Sequence, residues 1–207
     1  VWTAMALCRA MKQLEELADF IGDSETSKAM SHKYDVLAEK INDSGWDGKW
    51  YRALYTDDDR PVGTEGDKEG KIFLNPQTWA LLSGVSNPER TQLIVSEIDK
   101  YLHCEAGYSL LYPAFTKYDP TIGRISAFSP GTKENAAVFS HAVAFLIVAL
   151  CQKGMGDKAF DTYSRVMPTH SFKDPDQYRA EPYIFSEYCV GPEHPYQYPE
   201  GQFAWNT

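Results

Sequence analysis

The sequence predicts an all-α protein with long aromatic-rich loops. Three observations carry this. Apolar residues recur at helical spacing through several stretches, cap and breaker residues bound those stretches, and strand signals are weak, confined to residues 50–55 and 183–185. No repeat of fixed period is visible along the chain.

The first helix is expected over residues 1–21, with Met5, Ala10, Leu14, Leu17 and Ile21 as its apolar positions and Gly22-Asp23 as its stop. The second covers residues 25–42, with Met30, Tyr34, Leu37 and Ile41 as an inner stripe. A loop rich in Gly, Trp and Asp follows from 44 to 74. Loops of that length usually serve a function. A short helix is expected at 76–82. Asn87-Pro88-Glu89-Arg90 then supplies a cap, a Pro at the first helical position and an early acid, opening a helix that runs to about Leu102.

After an irregular segment, 104–132, comes the most apolar helix, expected over 134–151 and apolar all round, hence buried on all sides. A membrane span is the rival reading. Ser140 and His141 interrupt the run, and it falls short of the roughly 20 residues a bilayer requires. Gly154 and Gly156 turn the chain, Asp157 opens another helix that ends at Met167-Pro168, and a last loop covers 169–207.

The totals narrow the function classes. The 207 residues are enough for one large domain. A net charge of −9 with scattered Lys and Arg leaves no basic stripe for nucleic acid, so an anion would be held by a few placed groups. Aromatics reach 14%, with 13 Tyr and 5 Trp. Such rings suit flat, weakly polar ligands such as sugars, although composition alone favours a Tyr-rich core and loops. Cysteines at 8, 104, 151 and 189 show no CxxC spacing, and HExxH is absent, so the sequence offers no metal site. Unpaired thiols fit a reducing cytosol, with Cys8 and Cys151 as small hydrophobes in helices. Asn42-Asp43-Ser44 fits the glycosylation triplet, a motif that chance supplies in a chain of this length. The chain starts without Met, inside a helical pattern, and stops without a polar tail. Both ends read as cut.

Three segments concentrate reactive side chains: 46–52 with 70–79, 123–141, and 181–188 with 200–207. Trp46 and Trp50 read either as loop pins or as ligand platforms. Lys133 and Glu134 read as solvated residues at a helix start, or Lys133 as part, with His141 and the helix N-terminus, of a phosphate or polar-substrate site. His141 reads as a satisfied core histidine or as part of an anion site. Burying Ser140 and His141 in an apolar helix costs free energy unless they are hydrogen-bonded, and helix N-termini attract anions.

These segments closely resemble the cellobiose and chitobiose phosphorylases, glycoside hydrolase family 94. The most specific block is Gly123 to His141, with its Pro-Gly-Thr-Lys-Glu-Asn core and a His in the following helix. The stretches from Trp46 to Gln77 and from Glu181 to Thr207 support it in the right order.

The resemblance implies an (α/α)6 barrel of twelve helices. About six are read here, so residues 1–207 are expected to be the C-terminal part, about half, of that catalytic domain. It implies phosphorolysis with inversion: a β-disaccharide and inorganic phosphate give an α-sugar 1-phosphate and a monosaccharide, with phosphate as co-substrate and no cofactor. It assigns phosphate binding to His141 and Thr207, the latter matching the end of a Trp-x-Thr-Gly stretch. It assigns substrate contacts to Lys133 and Glu187, where cellobiose-type relatives carry Gln, and pocket-shaping roles to Arg124, Phe128 and Gln77. The family's general acid is the Asp of an Asp-Trp-Asn-Asp-like motif. That motif does not occur here and is expected ahead of Val1, so the chain alone is expected to be inactive. The block 134–141 and Glu187-Tyr188 look more like the chitobiose-type members. N,N′-diacetylchitobiose is therefore the expected substrate, with cellobiose or another β-glucobiose second. The resemblance further implies that the full-length protein is a homodimer, while the unpaired thiols, the charge pattern and the interrupted apolar run point to a cytoplasmic protein without nucleic-acid or membrane partners. An inverting hydrolase on the same barrel, a non-catalytic sugar-binding module and the phosphorylase-like part of a β-1,2-glucan synthase are the rival readings.

Overall fold

A computed structural model describes residues 1–169, 174–181 and 183–204. Helices dominate. The long ones are α1 (Trp2–Ile21), α2 (Ser24–Gly45), α3 (Leu74–Ser83), α4 (Pro88–Tyr101), α5 (Ser140–Gln152) and α6 (Gly156–Val166), and α7 (Pro175–Tyr178) is a single turn. Their ends follow the local chemistry. Gly22 closes α1 in the left-handed conformation, φ 79°. The Asp23 carboxylate caps α2 by accepting from the Thr26 N–H at 3.0 Å. Asn87 caps α4 the same way through the Arg90 N–H at 2.8 Å, with Pro88 at the first helical position.

The helices form two rows. In one, α3 lies between α1 and α5. In the other, α2 packs on α1, α4 on α3 and α6 on α5. The core between them is built from residues such as Met5, Cys8, Trp50, Leu74, Leu81, Ile94, Ile98 and Leu146. Burial of this apolar area is the main stabilising contribution.

Two apolar helix faces differ from expectation. On α1 the inward residues are Met5, Cys8 and Ala18, whereas Leu14, Leu17 and Ile21 are exposed, Ile21 to 67%. On α5 one face is buried through Ala142, Val143, Leu146, Ala149 and Leu150, while His141, Phe145 and Val148 are exposed. The all-round apolar character of α5 is therefore only half used among the described residues. Cys151, expected as a helix hydrophobe, is exposed, and Cys8 is buried as expected. The α2 stripe of Met30, Tyr34, Leu37 and Ile41 is half-buried to buried as read.

The helix expected from 134 begins at Ser140 instead. Lys133 (φ 48°) and Ala136 (φ 73°) are left-handed, which an α-helix cannot include. Residues 132–135 form a turn, and Val138–Phe139 is strand β7. The long loops also carry short strands. β1 (Leu54–Tyr55) pairs with β2 (Pro61–Val62), β3 (Ile72–Phe73) with β6 (Leu111–Tyr112), and β4 (His103–Cys104) with β5 (Gly107–Tyr108), all antiparallel. The last loop contributes β8 (Ser186–Cys189) and β9 (Gly201–Ala204), giving a sheet ordered β7-β8-β9 with Phe139 opposite Tyr188 and Tyr188 opposite Gln202.

Trp46 and Trp50 act as loop pins. Trp50 is fully buried and its indole N–H donates to the Gly63 carbonyl at 2.9 Å. The Trp46 ring lies against Tyr51, with the Arg90 guanidinium 4.5 Å from its centroid. Among the described residues no helix is long and apolar enough to cross a membrane.

Candidate functional site

The carboxyl side of the 104–132 segment folds into a 3-10 helix, Gly123–Ala127, which presents Arg124 and Ile125. Ser126 fastens it: its hydroxyl donates to the Gly123 carbonyl at 2.7 Å and accepts from the Asp119 N–H at 2.9 Å. The chain then enters a tight turn. Thr132 N–H donates to the Ser129 carbonyl at 3.0 Å, Asn135 N–H to the Thr132 carbonyl at 3.0 Å, and Gly131 N–H to the Asn135 carbonyl at 2.8 Å.

Asn135 holds this turn to its surroundings. It is fully buried. Its Oδ1 accepts from the Phe115 N–H, and its Nδ2 donates to the Phe115 and Phe128 carbonyls, each at 2.8 Å. The side chain thus satisfies three backbone groups at once, two of them buried. It sets Phe128 and Lys133 on the same wall.

That wall closes a cavity of about 610 Å³ lined by Arg124, Ile125, Phe128, Lys133, Glu134, Phe139, Glu187 and Phe203. Four residues singled out from sequence, Arg124, Phe128, Lys133 and Glu187, meet here. Both cations lie over the Phe128 ring, the Arg124 guanidinium 5.9 Å and the Lys133 ammonium 5.2 Å from its centroid. Glu187 comes from β8, and Phe203, left-handed at φ 56°, from β9. The Phe139 ring stacks on Tyr188 at 5.2 Å. Burial pushes the Tyr188 phenol up from its ordinary pKa, so it stays protonated at neutral pH.

His141 stands next to this cavity rather than in it. It is the second residue of α5, its ring meets Phe139 edge-on at 5.4 Å, and it lines a neighbouring cavity of about 300 Å³ with Ser140, Phe145, Tyr163 and Phe185. It is exposed, which removes the core-histidine reading. Ser140 is satisfied by donating to the Ser186 carbonyl at 2.7 Å, tying α5 to β8. Thr207 lies outside the described residues.

Gln77 is placed elsewhere. It is fully buried on α3, where its Oε1 accepts from the Tyr51 N–H and its Nε2 donates to the Tyr51 and Phe73 carbonyls. With its amide fully engaged, it braces the 44–74 loop and does not line the cavity.

Sequence reasoning left Ile125, Glu134, Phe139 and Phe203 out of the cavity wall and Asn135 out of its scaffold. Glu134 and Asn135 sit inside the block Pro130 to Asn135 that was singled out for Lys133, so adjacency was the available signal. Glu134 and Ile125 also line an adjoining cavity of about 260 Å³ with Trp2, Phe73, Asn75 and Leu110, so the two cavities share a wall. Among the described residues no group of three or more His, Cys, Asp or Glu is placed to hold a metal ion.

The family model for the glycosyl hydrolase 94 superfamily, catalytic domain, matches residues 1–207. Solabiose phosphorylase of Paenibacillus borealis is 38% identical over 208 residues, covering 100% of this chain and 27% of that protein. A 3-O-beta-D-glucopyranosyl-beta-D-glucuronide phosphorylase from the same organism is 39% identical, covering 92% and 25%. N,N′-diacetylchitobiose phosphorylase of Vibrio proteolyticus is 29% identical, covering 89% and 23%. The chain spans about a quarter of the length of these relatives. It belongs to the glycosyl hydrolase 94 superfamily, within whose catalytic domain all of residues 1–207 fall.

Proposed function

We propose that this chain is part of a glycoside phosphorylase that cleaves a β-linked disaccharide with inorganic phosphate and inverts the anomeric centre. The observation that carries the reading is the meeting of Arg124, Phe128, Lys133 and Glu187 in one cavity beside His141, in a chain of this superfamily. The two helix rows support a segment of an (α/α)6 barrel, completed by helices outside these residues.

On this reading a carboxylic acid from outside the 207 residues protonates the glycosidic oxygen. A phosphate oxygen attacks C1 from the opposite face. The C1–O bond to the leaving sugar breaks as the C1–O bond to phosphate forms, giving the α-1-phosphate. Phosphate is already anionic and requires no general base, unlike the water of an inverting hydrolase. It requires donors that hold it in line. His141, exposed in the first turn of α5, is one such donor in either protonation state, and Thr207 is the second. Alone, the chain is inactive because the acid is absent from it. The whole protein is a cytoplasmic homodimer without a cofactor.

The identity of the disaccharide is a separate matter. Diacetylchitobiose is supported by the 134–141 block, of which Glu134 and Phe139 line the cavity while Ala136, Ala137 and Val138 are buried in the core, and by Glu187. Relatives named for solabiose, a glucosyl-glucuronide and diacetylchitobiose all share the family. The test is incubation of the full-length protein with these disaccharides and cellobiose, with and without phosphate. Cleavage that requires phosphate supports the proposal. Equal cleavage without phosphate favours an inverting hydrolase.

A further inference from the structure

His141 stands at its cavity without a hydrogen bond to aim it. Among the described residues neither ring nitrogen has a protein partner, and the imidazole is touched instead by two aromatic rings. Phe139, just ahead of α5, stands 5.4 Å away at 78°. Phe145, one turn further along α5, stands 6.1 Å away at 85°.

Both rings are themselves supported. Phe139 stacks on Tyr188 at 5.2 Å, and Tyr188 meets Phe203 at 6.2 Å. Phe145 lies 5.3 Å from Trp79 of α3, which lies 6.1 Å from Trp2 of α1. A continuous row of rings thus runs from α1 through α3 and α5 to β9, with the imidazole inside it. The Ser140 hydroxyl, donating to the Ser186 carbonyl at 2.7 Å, ties α5 to β8 at the same point.

An exposed side chain on the first turn of a helix is free to exchange rotamers unless something holds it. A histidine that acts at a set position is commonly oriented by a hydrogen bond to one of its nitrogens, which fixes the ring but uses that nitrogen. Near-perpendicular ring contacts orient it through the match of a ring edge to a π face, and they leave both nitrogens for a ligand. We propose that Phe139 and Phe145 are positioning residues for His141, holding the imidazole so that its free nitrogens meet phosphate. This rests on the phosphorylase reading above, which supplies the phosphate, and adds to it the groups that aim the donor. The two rings differ in reach. Phe139 also lines the large cavity with Lys133 and Glu187, whereas Phe145 lines the smaller one with His141 and not the larger. Loss of Phe145 therefore isolates the effect on the donor.

The test uses the full-length protein and steady-state kinetics at varied phosphate and varied disaccharide, with the disaccharide that the parent cleaves fastest among those named above. Phe145→Leu and Phe145→Met remove the ring, and Phe145→Tyr keeps it. Phe145 is 40% exposed, so all three are expected to fold, and their thermal midpoints check this. kcat/KM for phosphate should fall about 3- to 10-fold in Phe145→Leu and Phe145→Met, the size of one lost ring contact, with KM for the disaccharide unchanged. Phe145→Tyr should recover the parent's value. A second measurement places Phe145→Leu in a His141→Ala background, where it should have no further effect, because the ring acts only through the imidazole. A fall of the same size with His141 present and absent overturns the proposal. So does an unchanged kcat/KM for phosphate in both ring-less variants, and either result leaves phosphorolysis by the parent standing. A parent without phosphate-dependent cleavage overturns the phosphorylase reading and this inference with it.

Discussion

Gly191 lies so close to Ala136 that a Cβ on the glycine would sit 2.0 Å from the Ala136 carbonyl oxygen. The Gly191 N–H also donates to the Gly131 carbonyl at 2.7 Å. The segment after β8 is thereby clamped onto the turn that presents Lys133. The obstruction is backbone, which cannot rotate out of the way. Gly191→Ala is expected to destabilise the protein by about 3 kcal/mol or more, at or above the upper end of overpacking costs. A drop of several degrees in thermal midpoint checks it; an unchanged midpoint would show that the contact is looser than described.

Asn135 supplies the second clamp. Asn135→Leu has similar volume but leaves the Phe115 N–H and the Phe115 and Phe128 carbonyls without their partner. Each such buried group costs about 1–3 kcal/mol. Denaturant unfolding should show a loss of more than about 2 kcal/mol. Activity of any surviving folded fraction should fall as well, because Phe128 and Lys133 lose their common support.

His103 predicts a pH dependence of stability. It packs edge-on against Tyr108 at 5.1 Å and lies 4.0 Å from Asp161, within a group that includes Asp99, Lys158 and Arg165. Burial, and after it the Arg165 charge, hold its pKa below the ordinary 6.5. The unfolded chain therefore binds this proton at a pH where the folded chain does not. Stability rises with pH through the window just below 6.5 and is lost as pH falls through it. His103→Gln should flatten that part of the stability profile. A profile identical to that of the parent would contradict the assignment.

His141 carries the phosphate assignment. As an exposed residue, it contributes little to the core, so His141→Ala should leave the thermal midpoint within about 1 kcal/mol of the parent's stability. On the proposed function, loss of this donor in the full-length protein should lower kcat/KM for phosphate by about 100- to 1,000-fold. Steady-state kinetics at varied phosphate separates this from an effect on the sugar.

Much of this architecture was legible in the chain because it depends on local chemistry. The Asn87-Pro88 start of α4 and the Gly22-Asp23 break between α1 and α2 need only their own neighbours. What was not legible depends on distant partners. The β7-β8-β9 sheet joins Val138 to Cys189, and neither segment alternates strongly enough to announce it. Helix α1 has two apolar faces, and only packing reveals that Met5 and Cys8 face inward while Leu14 and Leu17 do not. The late start of α5 follows from left-handed residues at Lys133 and Ala136, types that carry no such signal. In the site, Arg124, Phe128, Lys133 and Glu187 were all singled out and all converge, while Gln77, taken as a pocket residue, spends its amide on the Tyr51 and Phe73 backbone.

The most direct measurement is a ³¹P and ¹H NMR time course of the full-length protein with a β-disaccharide and phosphate. The account predicts that inorganic phosphate is consumed as a sugar 1-phosphate of α configuration appears, in step with free monosaccharide. Release of monosaccharides with the phosphate signal unchanged, or a product of β configuration, would contradict it.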